Sequence, residues 1–163
     1  MFSCEAIVGN GGISKHFGEE YDHTPKGEYP IGVLIYGEEY VNTGLDTYYA
    51  DSDTVISSDP AHSYNLIVSS NSGLSNYDPI GQRLNGGTDH ERNNALIFIE
   101  HNGDGENPKR VKSTEKGSSI TICGRYGLDS TTGGCIDIEA EDMVILAGLL
   151  DADLDPCIIA KVK

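Results

Sequence analysis

A chain of 163 residues, 37% hydrophobic, with 20 glycines and no tryptophan, has the composition of one folded domain rather than of a disordered segment. Its net charge of −15, from 26 acidic against 11 basic residues, disfavours nucleic-acid phosphates and anionic membrane surfaces and suits solubility, cation uptake or docking onto a basic partner. No run approaches the roughly 20 apolar residues of a membrane span, and the opening MFSCEAIVGNGG lacks the basic-then-apolar order of a secretion signal, so synthesis in a cytosol is expected.

Residues 1–30 read as an extended arm or loop, with CEAIV as a short strand and NGG and HTPKGEYP as turn text. IGVLIYGEEY, Ile31 to Tyr40, is dense in β-branched and aromatic residues and predicts a strand ended by Gly37. DTYYADSDTVISS holds two short alternating pieces, and SYNLIVSS predicts another strand. Seven of the nine tyrosines fall between Tyr21 and Tyr64. They suit half-buried strands, or a sugar- or partner-binding face. Ser70 to Asn94 is a polar connection with room for one helical turn. A boundary near Asn85–Gly87 would divide a β lobe at 31–85 from one at 86–163, unless the whole is one domain. ALIFIEHNGDGENPKRVKS predicts a hairpin, with Ala95 to Glu100 outward, NGDG turning and Arg110–Ser113 returning. In SSITICG, Ile120 and Ile122 point to one face, Thr121 and Cys123 to the other. GGCIDIEAEDMVILAG adds two close strands, and PCIIAKVK is expected as the last strand.

SITIC aligns under CIDIE at a shift of 16, Ile120 over Ile136 and Ile122 over Ile138, and a step of 8 carries Ile136 to Val144. Alternating aliphatics with glycine corners at near-regular spacing suit stacked rungs. An antiparallel meander alternates in the same way, and Glu141–Leu150 also fits a helix. The expected fold is therefore all-β, an antiparallel sandwich or barrel with solenoid-like stacking in the C-terminal half. Ile120, Ile122, Ile136, Ile138, Val144 and Ile145 are the expected core.

GSSITIC and GGCIDIEAEDMVILAG, Gly117 to Gly148, resemble the rung segments of β-helical spike proteins of contractile phage tails. The tail LLDADLDPCIIAKVK lacks the histidines with which some such spikes hold an iron, so the likeness is to β-rich virion proteins generally, capsid decorations included. The resemblance implies a structural component of a tailed phage, a trimer of itself that also contacts other virion proteins and resides in the virion.

DADLD would put Asp151, Asp153 and Asp155 on one side of an extended segment, where calcium is the cation their oxygens select. It is not an EF-hand, because the twelfth position from Asp151 is Val162. HNGDGENP offers oxygen ligands or an ordinary glycine turn, and TDHER reads as a polar loop or an acid–base group. His16, His23, His62, His90 and His101 show no helical zinc spacing. The four cysteines form no Cys-x-x-Cys pair, and cytosolic synthesis favours free thiols. Cys123 and Cys135 fall on the polar-facing register of paired strands, where a disulfide between them is also open. Cys135 follows two glycines as a nucleophile would, yet opens a strand with no helix N-terminus to favour its thiolate. The expectation is an assembly protein with no catalytic residue and no cofactor. The alternatives are a calcium-assisted, tyrosine-lined β-sandwich binding carbohydrate or a host receptor, and a small hydrolase using a cysteine or histidine.

Overall fold

A computed structural model describes residues 2–86, 93–128 and 131–162. In chain order its strands are β1 (Ile13–Ser14), β2 (Thr24–Pro25), β3 (Gly27–Tyr36), β4 (Thr47–Tyr49), β5 (Thr54–Ser57), β6 (Ile67–Ser69) and β7 (Tyr77–Asp78). Helix α1 (Ile80–Asn85) follows, then β8 (Asn93–Ile99), β9 (Thr121–Arg125), β10 (Ile136–Glu139), α2 (Ala140–Leu149) and β11 (Cys157–Ala160).

The main sheet runs β10-β9-β8-β3, and the outer edge of β3 is shared by two strands. β4 pairs in parallel with Leu34–Tyr36, while β11 pairs antiparallel with Gly27–Pro30. β9 and β10 are parallel, and the β3–β8 and β8–β9 pairs are antiparallel. A separate antiparallel sheet has the order β6-β5-β7.

Period-two alternation sorts the apolar residues into two layers. Leu34 of β3, Ala95, Ile97 and Ile99 of β8, Ile122 of β9 and Ile138 of β10 meet Met143 and Ala147 of α2. The intervening Val33, Ile35, Leu96, Phe98 and Cys123 meet Ile56, Ile67, Ile80 and Leu84 on the opposite face. Both faces of the sheet are thus covered by the chain's own elements, which is why all seven residues of β8 are buried. A Cβ on Gly81 would strike the Asp51 carbonyl, so glycine lets α1 dock directly against the turn that leads into β5.

Among the described residues the fold is β-rich, but its sheets are mixed and antiparallel, none closes into a barrel, and no solenoid is formed. The two segments aligned as rungs do lie side by side in parallel, with Ile136 opposite Ile122, a register two residues short of the sequence alignment. A third rung does not follow, because the Ile7 amide and carbonyl both bond Asp137 at 2.8 Å and occupy the free edge of β10. The chain instead turns into α2, with Glu141 and Asp142 in its first turn, where the helix dipole favours anions. Val144 and Ile145, expected in the core, are each 50% exposed on the outer side of that helix. Ile136 is half-buried beside the core, while Ile120, Ile122 and Ile138 lie within it.

The strand returning from β8 is β9, not Arg110–Ser113. Residues 100–120 form a long excursion organised by fully buried Asn102. Its amide donates to the Ser113 and Gly117 carbonyls at 2.7 and 2.9 Å, and its oxygen accepts from the Lys112 and Ser113 amides at 3.1 Å. Four satisfied bonds make one side chain the anchor of the loop.

Candidate functional site

The parallel register of β9 and β10 sets Asp137 opposite Cys123 and Glu139 opposite Arg125. Alternation then puts Thr121, Cys123 and Arg125 on one face with Cys135 and Asp137, the face turned away from α2. Neighbouring positions on this face are apolar, and here the sequence inserts a row of polar atoms into the interior. Arg125 Nη1 donates to Asp137 Oδ2 at 2.7 Å, and Asp137 is only 2% exposed.

Two thiols occupy the other end of the row. Thr121 Oγ1 lies 3.2 Å from Cys123 Sγ and 3.4 Å from Cys135 Sγ, so one hydroxyl bridges both sulfurs. Both are free thiols; Cys123 is buried and Cys135 half-buried. As a thiol, Cys135 donates to the Ser119 carbonyl at 3.1 Å. Ser119, held at φ 57°, donates its hydroxyl to Asp78 Oδ2 at 2.5 Å, and Arg83 Nη2 donates to the same oxygen at 3.1 Å. Asp78 comes from β7 and Arg83 from α1, so three separate chain segments converge on the dithiol.

The charges divide the two thiols. The hydrogen bond from Cys123 is the main influence holding Cys135 below the ordinary thiol range; burial and Asp78 oppose it, while Thr121 and Arg83 assist. The same bond, with burial and Asp137, pushes Cys123 well above that range. Cys135 is therefore the sulfur that ionises and Cys123 the one that keeps its proton. Burial works against the charge on Arg83, but Asp78, Cys123 and Cys135 together outweigh it, so the guanidinium stays cationic beside the thiols. Its Nε is buried without a hydrogen-bond partner. The stretch leading into Cys135 is open on one side: a Cβ on Gly133 would meet only Asp22 Oδ1, at 3.9 Å.

The objection that a strand-opening cysteine lacks a helix dipole is answered by different groups: a second thiol, a hydroxyl and a cation. Among the described residues no histidine hydrogen-bonds to either sulfur, and His90 with the TDHER segment lies outside them. His101 is buried between the Ile99 and Gly117 carbonyls at 3.3 Å each, and burial lowers its pKa, a structural role. Asp78, Arg83, Ser119 and Thr121 were not singled out from sequence. The alternation of Thr121 with Cys123 was the one available signal, and nothing local ties PIGQRLN to it.

The DADLD segment is not extended. Asp151 caps a 3-10 turn at Ala152–Leu154, its Oδ1 accepting from the Asp153 amide at 3.0 Å, and Asp155 takes the left-handed conformation. Among the described residues no group of three histidine, cysteine or carboxylate side chains is placed to hold a metal. Asp155 instead lines a cleft of about 430 Å³ over the β3 edge, with Asp46, Glu100, Asp104, Glu106 and Arg110. Burial, then Asp104, raises the Glu100 pKa, while Arg110 pairs with Asp104 at 3.2 Å. The exposed tyrosines Tyr40 and Tyr49 pack edge-on against Tyr36, at 5.1 and 5.7 Å between ring centres.

Comparison with known protein families, with curated proteins and with solved structures finds no match. Among the described residues no helix is long and apolar enough to cross a membrane.

Proposed function

We propose that the chain is a thiol-dependent enzyme of the acyl-transfer class, with Cys135 as its nucleophile. One observation carries this reading: Cys135 shares the Thr121 hydroxyl with a second thiol, and the bond from that thiol favours the Cys135 thiolate. The Cys135 thiolate attacks the carbonyl carbon of an amide or ester, forming a C–S bond as the carbonyl electron pair moves onto oxygen. Collapse of that adduct expels the amine or alcohol, which takes up a proton, and leaves a thioester. Water or a second amine then releases the acyl group and restores the thiol. Thr121 and Cys123 orient the sulfur. An activated ester, p-nitrophenyl acetate, tests the proposal with the reduced protein. Acetylation is expected on Cys135 ahead of exposed Cys4 and Cys157, with none at that position in Cys135→Ser. Labelling of Cys4 and Cys157 with Cys135 untouched would sink the idea.

A second reading keeps the assembly role in a phage particle. The observation that favours it is the outer side of α2 and the turn after it, where Val144, Ile145, Leu149 and Leu154 are 50 to 77% exposed. Further copies of the chain would cover that apolar face. Light scattering gives the solution mass, and a monomer at all concentrations would count against it.

A further inference from the structure

We propose that Cys123 is a resolving thiol, and that a peroxide converts the Cys123–Cys135 pair into a disulfide that switches the site off. The inference rests on the reading of Cys135 as the reactive thiol. It is carried by placement: both sulfurs contact one Thr121 hydroxyl, at 3.2 and 3.4 Å, and both are free thiols. In the parallel register Cys123 faces Asp137, one diagonal step from Cys135. Disulfides require closer Cα atoms than a diagonal pair usually offers, so one residue must shift. Cys123 is fixed inside β9, between β8 and β10. Cys135 precedes the first paired residue of β10 and is held by the Thr132 hydroxyl on its carbonyl at 2.7 Å rather than by a strand partner on each side, so the shift falls to Cys135.

The chemistry balances in two steps. The Cys135 thiolate attacks a peroxide oxygen; an S–O bond forms, the O–O bond breaks, and one water (or alcohol) leaves with a proton, giving the sulfenic acid. Cys123 then attacks that sulfur, an S–S bond forms, the S–O bond breaks, and hydroxide leaves as a second water with the Cys123 proton. The pair loses two electrons and two protons, and a dithiol reductant such as dithiothreitol returns them. Exposed Cys4 and Cys157 are the internal controls.

The test exposes the full chain to hydrogen peroxide, blocks remaining thiols and reads mass. Trypsin cuts after Lys116 and Arg125 and separates Cys123 from Cys135, and a second cut by a glutamate-specific protease after Glu139 and Glu141 removes Cys157 from the Cys135 peptide, so the bridge is assigned to one pair. The expected result is a loss of two hydrogens, a peptide pair linked through Cys123 and Cys135, and reversal by dithiothreitol. In Cys123→Ser, Cys135 is expected to gain one and then two oxygens instead. The proposal is overturned if wild-type Cys135 accumulates oxygens without a link, or if oxidation joins Cys4 to Cys157 while this pair stays reduced. A bridge that forms in a protein whose reduced Cys135 resists acetylation would sink the acyl-transfer reading alone. Acetylation without a bridge would sink only the switch.

Discussion

Replacing Cys123 by alanine tests the charge arrangement at the thiol pair directly. The hydrogen bond from Cys123 is the largest influence favouring the Cys135 thiolate, so its loss must raise the Cys135 pKa. A hydrogen bond to a charged acceptor contributes about 1.5–3 kcal/mol, which at roughly 1.4 kcal/mol per decade lowers the thiolate fraction near pH 7 by about ten- to hundred-fold. Nucleophilicity rises with basicity along a slope of about 0.5, which recovers about half of each decade, so the net rate falls about three- to ten-fold. The assay is iodoacetamide alkylation of Cys135, followed by peptide mass between pH 6 and 10 in a background with Cys4 and Cys157 changed to serine. The two profiles should cross: the variant is slower near neutrality and faster where both proteins are fully ionised. Cys123→Ser, which keeps a donor, should recover most of the neutral-pH rate. Equal rates at pH 7, or a variant profile displaced to lower pH, would refute the assignment of roles.

Three further outcomes follow from the packing. Met143→Ala empties a fully buried position against the sheet and should cost about 2–5 kcal/mol in urea unfolding, whereas Ile145→Ala on the exposed side should stay within roughly 1 kcal/mol. Asp137→Ala removes the buried anion 2.7 Å from Arg125 and should destabilise the fold by about 3 kcal/mol, seen as a lower urea midpoint. Burial lowers the His101 pKa, so the unfolded chain binds this proton more readily than the folded one. Its contribution is therefore intact above the unfolded value and declines as pH falls through that value toward the folded one. The wild-type urea midpoint should drop between pH 7.5 and 5.5 by more than that of His101→Gln.

The strands were legible where alternation was long. IGVLIY became the end of the ten-residue β3, and ALIFI became most of β8, since β-branched and aromatic runs of that density suit a sheet buried on both faces. The run from Met143 to Leu149 fits a rung or a helix equally well because it is apolar all round, which hides the helical stripe of Met143 and Ala147; the helix over Glu141–Leu150 is the alternative that holds. Its fate was decided by Ile7, more than a hundred residues away, whose backbone takes the β10 edge. The site divides along the same line. Cys123 and Cys135 stood out by residue type and strand register, but Asp78 and Arg83 reach them only through the docking of α1 and β7, a contact no local pattern encodes.

β3 has another implication, for the order in which the molecule can form. Its pairing partners are β4, completed by residue 49, then β8 at Asn93–Ile99, then β11 at Cys157–Ala160. During synthesis an apolar ribbon therefore leaves the ribosome long before most of its neighbours exist. Loop-closure entropy delays such distant pairings, so slow folding and a need for shielding by a chaperone are the natural companions of this topology.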